Sequence, residues 1–289
     1  MSIFLGTGAS EGIPAAFCNC PTCTRAREFG GRNIRYRSSF LIDEENIIDL
    51  GPDFYHQVTE NRLNMIGLRN IFVTHSHEDH ISIPELGTRS SAIPNPEQTV
   101  NIYGSEKALG FIHDMMLRYL PSENRKKPNH CFSLYRFQAL KPFETYFIDG
   151  LTVVPIESSH YGTAPDELGM NYLITDRASR RFLYACDTGW YGENSWDYLR
   201  NNEIKPDYLV IECTYGTWEL PYHSPGHLDY ANLRLFLEKM SELGCITTET
   251  PVYVTHISHL NAHGYDEMRA YFNSLPWNLI QAYDGMRIE

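Results

Sequence analysis

The chain has 289 residues, 42% of them hydrophobic and 21% charged, and a formal charge of −12 from 36 acidic and 24 basic side chains. That length buries a sizeable core, and those proportions belong to a globular chain rather than a disordered one. The acidic excess speaks against a long nucleic acid as partner, and with no run of about eighteen apolar residues no membrane contact by a spanning helix is expected.

In chain order, Ile3-Phe4-Leu5 reads as a short strand ending at Gly6-Thr7-Gly8. The start carries no basic region, apolar stretch or cleavage site, so a reduced, cytoplasmic setting is expected. Three of the seven cysteines then crowd together as Cys18, Cys20 and Cys23. In a reduced setting such a cluster points to metal rather than to a disulfide. Residues 38–42 and 46–50 read as a hairpin around Asp43-Glu44-Glu45, and 53–63 as a helix. Ile71-Phe72-Val73 is a buried-type strand that runs straight into His75.

Beyond it a helix is expected over Ile81 to Arg89. Strands follow near 99–103, 131–137, 151–156, 170–175, 181–186, 207–212, 252–255 and Leu279 to Ala282. Helical patterns lie near 105–119, 194–201, 228–243 and 264–274. The polar segment 121–130 reads as a loop or insertion. With no repeat and no Gly/Ser linker, the chain reads as a single domain over 1–289. Strands with interspersed helices imply mixed sheets covered by helices. The pattern alone leaves open a doubly wound sheet or two packed sheets.

The most informative stretch is Thr74-His75-Ser76-His77-Glu78-Asp79-His80. Divalent ions such as zinc take imidazole nitrogen and carboxylate oxygen together. A tight turn after a rigid strand aims His75 and His77 one way and Asp79 and His80 another, which suits two ions in one pocket. Two ions need further ligands. His160, Asp187 and His256 each follow an apolar strand candidate, and ligands gathered at strand ends are how such a scaffold builds one site.

These residues resemble the metallo-β-lactamase superfamily, whose signature is His-x-His-x-Asp-His followed by His, Asp and His. The resemblance implies an αββα sandwich, two mixed β-sheets face to face with helices outside. It implies that His75, His77 and His160 hold one metal, that Asp79, His80 and His256 hold the other, and that Asp187 bridges both. Further stretches narrow it: Gly6-Thr7-Gly8-Ala9-Ser10-Glu11-Gly12-Ile13-Pro14, the cluster Cys18-Asn19-Cys20-Pro21-Thr22-Cys23, Val254-Thr255-His256-Ile257-Ser258-His259 and Tyr283-Asp284-Gly285-Met286. They look like the branch of phosphoribosyl cyclic phosphate phosphodiesterases of bacterial phosphonate breakdown. Segments 110–145 and 161–170 match nothing in it.

The branch implies that His259 completes a structural zinc site with Cys18, Cys20 and Cys23. It implies that His227 is an extra active-site histidine, placed to help with proton transfer or the phosphate and here the candidate general acid for the leaving group, and it suggests a homodimer. Asp49 resembles the superfamily's aspartate that orients the histidine loop by hydrogen bonds. The expected cofactors are two divalent ions, zinc or manganese, plus one structural zinc. Asp79 would both ligate and orient the attacking water, and the partner is a small phosphodiester.

Rival readings share this machinery. Other branches cleave precursor transfer RNA, cyclic nucleotides, β-lactams or thioesters, and a cofactor-biosynthesis branch shares the glycine motif and cysteine cluster. RNA processing calls for a basic arm, and Arg125-Lys126-Lys127 is too short a run for one. A non-catalytic metal-binding sensor is the reading from another class, but such proteins lose ligands and all seven are present.

Overall fold

The computed structural model describes residues 1–92, 98–119, 133–261 and 264–289. One sheet is formed by β1 (Ser2–Gly6), β2 (Ser39–Asp43), β3 (Asn46–Ile48), β4 (Asn70–Phe72), β5 (Val100–Gly104), β6 (Tyr135–Ala139) and, at its other edge, β14 (Arg287–Ile288), in the order β14-β1-β2-β3-β4-β5-β6. The second holds β7 (Tyr146–Ile148), β8 (Leu151–Tyr161), β9 (Leu168–Thr175), β10 (Arg181–Ala185), β11 (Tyr208–Glu212), β12 (Val252–Thr255) and β13 (Leu279–Gln281), in the order β13-β12-β11-β10-β9-β8-β7.

Both sheets are mixed. β14-β1-β2-β3 and β7-β8-β9-β10 pair antiparallel, and β3 to β6 and β10 to β13 pair in parallel. A parallel neighbour requires a crossover, and here each crossover holds a helix. These helices are α2 (Phe54–Glu60), α3 (Ile83–Ala92) and α4 (Glu106–Tyr119) on the first sheet. On the second they are α5 (Glu193–Asn201), α6 (Tyr230–Glu242) and α7 (Tyr265–Phe272). No described helix is long and apolar enough to cross a membrane.

Three apolar layers follow. Phe4, Phe40, Phe72, Tyr172, Phe182 and Tyr184 fill the space between the sheets. Phe40 meets Phe182 and Tyr184 at ring distances of 5.8 and 5.5 Å, so each sheet buries its face on the other. Ile112 and Met116 of α4 seal the outside of the first sheet, and Trp196, Leu199 and Phe236 of α5 and α6 seal the second. The αββα expectation holds.

Several elements depart from the sequence reading. A helix α1 (Pro21–Phe29) follows the cysteine cluster, started by Pro21 in its first turn with Cys20 as its N-cap. The short strands β7 and β14 carry too few residues to show a period. The second hairpin strand ends at Ile48 rather than residue 50, because Asp49 takes a left-handed φ of 60° and leaves the ladder. β8 extends past residue 156 through a register shift between Glu157 and Tyr161, which places His160 inside a strand rather than after one. The segment 121–130 lies outside the described residues.

One rim of the sandwich gathers the ends of β4, β10, β11 and β12, all parallel-sheet strands, together with the bulged end of β8. Crevices at the carboxyl ends of parallel strands are where open α/β sheets place their sites.

Candidate metal centre

The histidine loop is anchored before it carries any ligand. Asp49, fully buried, accepts from Thr74 N at 2.8 Å and Thr74 Oγ1 at 2.9 Å, and faces His80 Nδ1 at 2.7 Å. Leu50 N donates to His80 O at 2.8 Å, so the loop lies directly on the end of β3. A Cβ at Gly51 would come within 2.2 Å of Asp79 O, which explains the glycine. On its other side Ser76 is gripped by the buried Glu167, which accepts from Ser76 N at 2.8 Å and from Ser76 Oγ.

The loop delivers ligand-type atoms into one space. His75 Nε2 lies 2.8 Å from His77 Nδ1, and His160 Nε2 lies 3.2 Å from the same atom. His80 Nε2 is 3.2 Å from Asp79 Oδ2 and 2.6 Å from Asp187 Oδ2. His256 Nε2 is 3.1 Å from Asp187 Oδ1 and 3.8 Å from Asp79 Oδ2. Asp187 Oδ2 is also 3.4 Å from His75 Nε2, so this carboxylate stands between the two groups. The residues sort into His75, His77 and His160 on one side and Asp79, His80, Asp187 and His256 on the other.

This arrangement fits cations. Zinc–nitrogen bonds of about 2.0–2.1 Å in a tetrahedron separate ligand atoms by roughly 3.3 Å, close to the spacing found. A single proton bridges only one pair of nitrogens, yet three nitrogens converge around His77. Buried His80 Nε2, Asp187 Oδ1 and His256 Nε2 crowd within 2.6–3.1 Å of one another's side chains, yet none of these contacts has the angles of a hydrogen bond. Unpaired buried polar atoms are costly and need an explanation, and a cation supplies one.

The outer contacts fix which nitrogen faces inward. His160 Nδ1 meets Gly226 O at 3.0 Å, and His256 Nδ1 meets Thr214 Oγ1 at 2.8 Å. His75 Nδ1 meets Thr74 Oγ1 at 3.0 Å. Thr74 and Thr214 hydroxyls donate onward to Asp49 and Glu212, so each accepts from its histidine and leaves Nε2 with a free lone pair. Burial, and then the neighbouring His80, holds His75 well below the usual imidazole range, and burial also lowers His160. Burial opposes charge on His80 too, but Asp79, Asp187 and Asp49 outweigh it and hold His80 well above that range. The cluster therefore draws positive charge to itself.

Backbone strain concentrates here. Asp49, Asp187 and His256 all adopt left-handed φ, at 60°, 52° and 55°. For residues other than glycine this costs on the order of 1 kcal/mol or more each, and it persists where surrounding structure dictates it. In each case the turn swings a ligand-type or orienting side chain off its strand end into the rim.

His227, at 22% side-chain exposure, sits on the edge of the cluster, its ring 4.6 Å from that of His160. Its Nδ1 lies 2.8 Å from Glu212 Oε1. Glu212 is fully buried and also accepts from Thr188 N, Thr214 N and Leu228 N at 3.0, 3.0 and 3.2 Å. Burial works against protonation of His227, but Glu212 outweighs it and lifts the imidazole to about 9. Glu212 went unnoticed in the sequence. The signal was there: a carboxylate closing the apolar run Leu209-Val210-Ile211, the same signature as Asp187.

A second constellation lies behind the first. Cys18, Cys20, Cys23 and His259 place their ligand atoms within 4.8 Å of one another. Cys20 Sγ is 3.5 Å from His259 Nδ1 and accepts from Cys23 N, the first turn of α1. Burial raises the Cys20 thiol, but these hydrogen bonds bring it down to about 6, whereas burial and the neighbouring thiols push Cys23 up to about 12. One thiolate thus discourages the next unless a cation shares them. Ile257 N donates to Thr7 O and Ala9 N to Ile257 O, so this corner ties the N-terminal loop to the segment after β12.

The structure therefore brings together every site residue expected from the sequence, in two groups. A family model described as anti-Pycsar protein Apyc1 matches residues 32–242. An octanoyltransferase of Porphyromonas gingivalis is 29% identical over 163 residues, 55% of this chain and 30% of that protein. A ribonuclease Z of Listeria welshimeri is 31% identical over 106 residues, 35% of this chain and 29% of that one. The chain thus spans less than a third of these curated relatives. Among solved structures, a diphosphatase from the PhnP family superposes with a TM-score of 0.72 at 22% identity, covering 100% of this chain and 96% of that one. Zinc-bound PqqB from Methylobacterium extorquens does so with a TM-score of 0.73 at 18% identity, covering 100% and 99%. The metallo-β-lactamase fold protein YhfI from Bacillus subtilis superposes with a TM-score of 0.67 at 16% identity, covering 99% of this chain and 97% of that one, which establishes that fold for this chain.

Proposed function

The chain belongs to the family described as anti-Pycsar protein Apyc1, and from that premise we propose that it is a metal-dependent phosphodiesterase that hydrolyses a small cyclic ribose phosphodiester. The observation that carries this reading is the pair of converging ligand groups joined by Asp187, with His227 and Glu212 at their edge.

His75, His77 and His160 would hold one divalent ion, Asp79, His80 and His256 the other, and Asp187 both; zinc or manganese suits this donor set. When bound, the pair would lower the pKa of a shared water and neutralise charge building on the phosphoryl oxygens. Asp79, at the mouth of the cluster, orients the attacking water. His227 protonates the departing alkoxide: its Nδ1 is engaged by Glu212, so Nε2 is the nitrogen left for the substrate, and Glu212 keeps the ring charged near neutral pH. Cys18, Cys20, Cys23 and His259 would hold a structural zinc. The family's anti-Pycsar description comes to this chain with the same proposal. A homodimer, implied by the sequence resemblance, is proposed alongside.

The test is a substrate panel with added manganese or zinc: ribose cyclic phosphate, 2′,3′- and 3′,5′-cyclic nucleotides, and linear diesters. Ring opening of a cyclic member, faster than cleavage of the linear ones, is the expected result. Bound metal with no turnover of any diester would contradict the reading and favour a sensor.

A further inference from the structure

The metal cluster opens onto two adjoining hollows. One, about 160 Å³, lies over the cluster and is lined by Glu11, Tyr215 and His227 among others. The other, about 480 Å³, is lined by Ser10, Arg37, Pro52, Glu78 and Thr163, and shares Ser10, His77 and Asp79 with the first. Only the larger has room for the bulk of a nucleotide-sized substrate whose phosphoryl group rests on the cluster.

Arg37 is the only arginine or lysine among the described residues lining either hollow. It is held at several points. Asp53 accepts from Arg37 Nη1 at 2.8 Å and from Arg37 N at 2.9 Å, so one carboxylate fixes both its head and its backbone. Nε donates to Ser10 O at 3.0 Å, and Arg37 O accepts from Gln57 Nε2 at 2.8 Å. A Cβ at Gly6 would come within 2.0 Å of Arg37 O, so the adjoining strand is kept bare to admit this residue. The side chain is 33% exposed. A guanidinium has five N–H groups, and these contacts leave donors unused.

We propose that Arg37 is a specificity-determining residue: its anchored guanidinium donates to a neutral hydrogen-bond acceptor on the part of the substrate beyond the scissile phosphodiester. This rests on the phosphodiesterase reading above. Charge decides the class of group. Asp53 at 2.8 Å already neutralises the guanidinium, and Glu78 and Glu11 add negative charge to the same cleft. A second phosphate would meet no cation of its own and would be repelled. A carbonyl or ring nitrogen needs only a well-placed N–H, which a fixed arginine supplies. Anchoring before the substrate arrives means little ordering entropy is lost on binding.

The experiment measures affinity, so that it stands apart from turnover. The manganese-loaded chain is titrated with three hydrolysis-resistant cyclic phosphorothioates: one bearing uracil, the smallest base with two carbonyl acceptors, one with a methoxy group in place of the base, and one with an added 5-phosphate. Arg37→Met is expected to weaken the uracil probe about tenfold or more and to erase its advantage over the methoxy probe. The phosphate-bearing probe is expected to bind the wild type less tightly than the uracil probe. Should Arg37→Met melt early, Arg37→Lys keeps the ion pair with Asp53 and loses the fork, and part of the same selectivity should go. Equal weakening of the uracil and methoxy probes, no weakening, or preference for the phosphate-bearing probe overturns the proposal, as does a wild type that binds none of them. Selective binding without turnover of the natural counterparts would leave Arg37 standing and sink the phosphodiesterase reading instead.

Discussion

Glu212 Oε1 and His227 Nδ1 stand 2.8 Å apart, the carboxylate fully buried and the imidazole at the rim of the cleft. In the proposed mechanism this pair holds the proton donor at the end of β11, beside the cluster of ligand-type residues. Glu212→Gln is expected to lower kcat by roughly one to two orders of magnitude on an alkoxide-leaving substrate. The loss should be much smaller on a nitrophenyl diester, whose leaving group needs no proton. Comparing the two substrates checks the role.

The same pair sets a pH dependence. His227 is raised to about 9, above its ordinary value, so its acid form persists through neutral pH and is lost as pH rises through that value. Removing the carboxylate lowers the imidazole pKa, so in Glu212→Gln the basic limb of the kcat profile moves to lower pH. Bound cations pull against His227 in both proteins, which makes the displacement between the profiles the readout. Superimposed profiles would contradict the role.

His77→Ala removes the nitrogen on which His75 and His160 converge at 2.8 and 3.2 Å. Turnover should vanish while circular dichroism and the melting transition stay near wild type, because this half-exposed loop residue packs no core layer.

Asp49→Ala would leave Thr74 N, Thr74 Oγ1 and His80 Nδ1 without their buried acceptor. Metal affinity is expected to drop about 10–100-fold, read by competition with a chelator. Stability should fall by about 1–3 kcal/mol or more, read by urea denaturation.

Cys20→Ser keeps the size of the side chain but weakens the cluster with Cys18, Cys23 and His259. The melting temperature should fall, and zinc content should drop by one ion per chain, with kcat of the folded fraction changed far less. An unchanged melting curve would remove the structural zinc from the account.

The convergence of the ligand-type residues was legible because they are rare and placed at or near the ends of apolar strands, a pattern that survives without coordinates. The alternation of strands and helices was legible for the same reason of periodicity. Glu212, Glu167 and Arg37 were not, since a single acid or base carries no pattern of its own and acquires meaning only when the fold encloses it. α1 was hidden because its sequence, Pro-Thr-Cys-Thr-Arg-Ala-Arg-Glu-Phe, is polar almost throughout and buries only Thr22, Cys23 and Ala26. The extension of β8 through its bulge to His160 was hidden because a register shift interrupts the period of two on which strand reading depends.

The most direct test is anomalous diffraction from crystals soaked in manganese, with data collected at an energy where manganese scatters strongly. Two peaks are expected, about 3.5–4 Å apart as in other two-metal sites, one against His75, His77 and His160, the other against Asp79, His80 and His256, with Asp187 reaching both. A map without density between these side chains at saturating manganese would contradict the account.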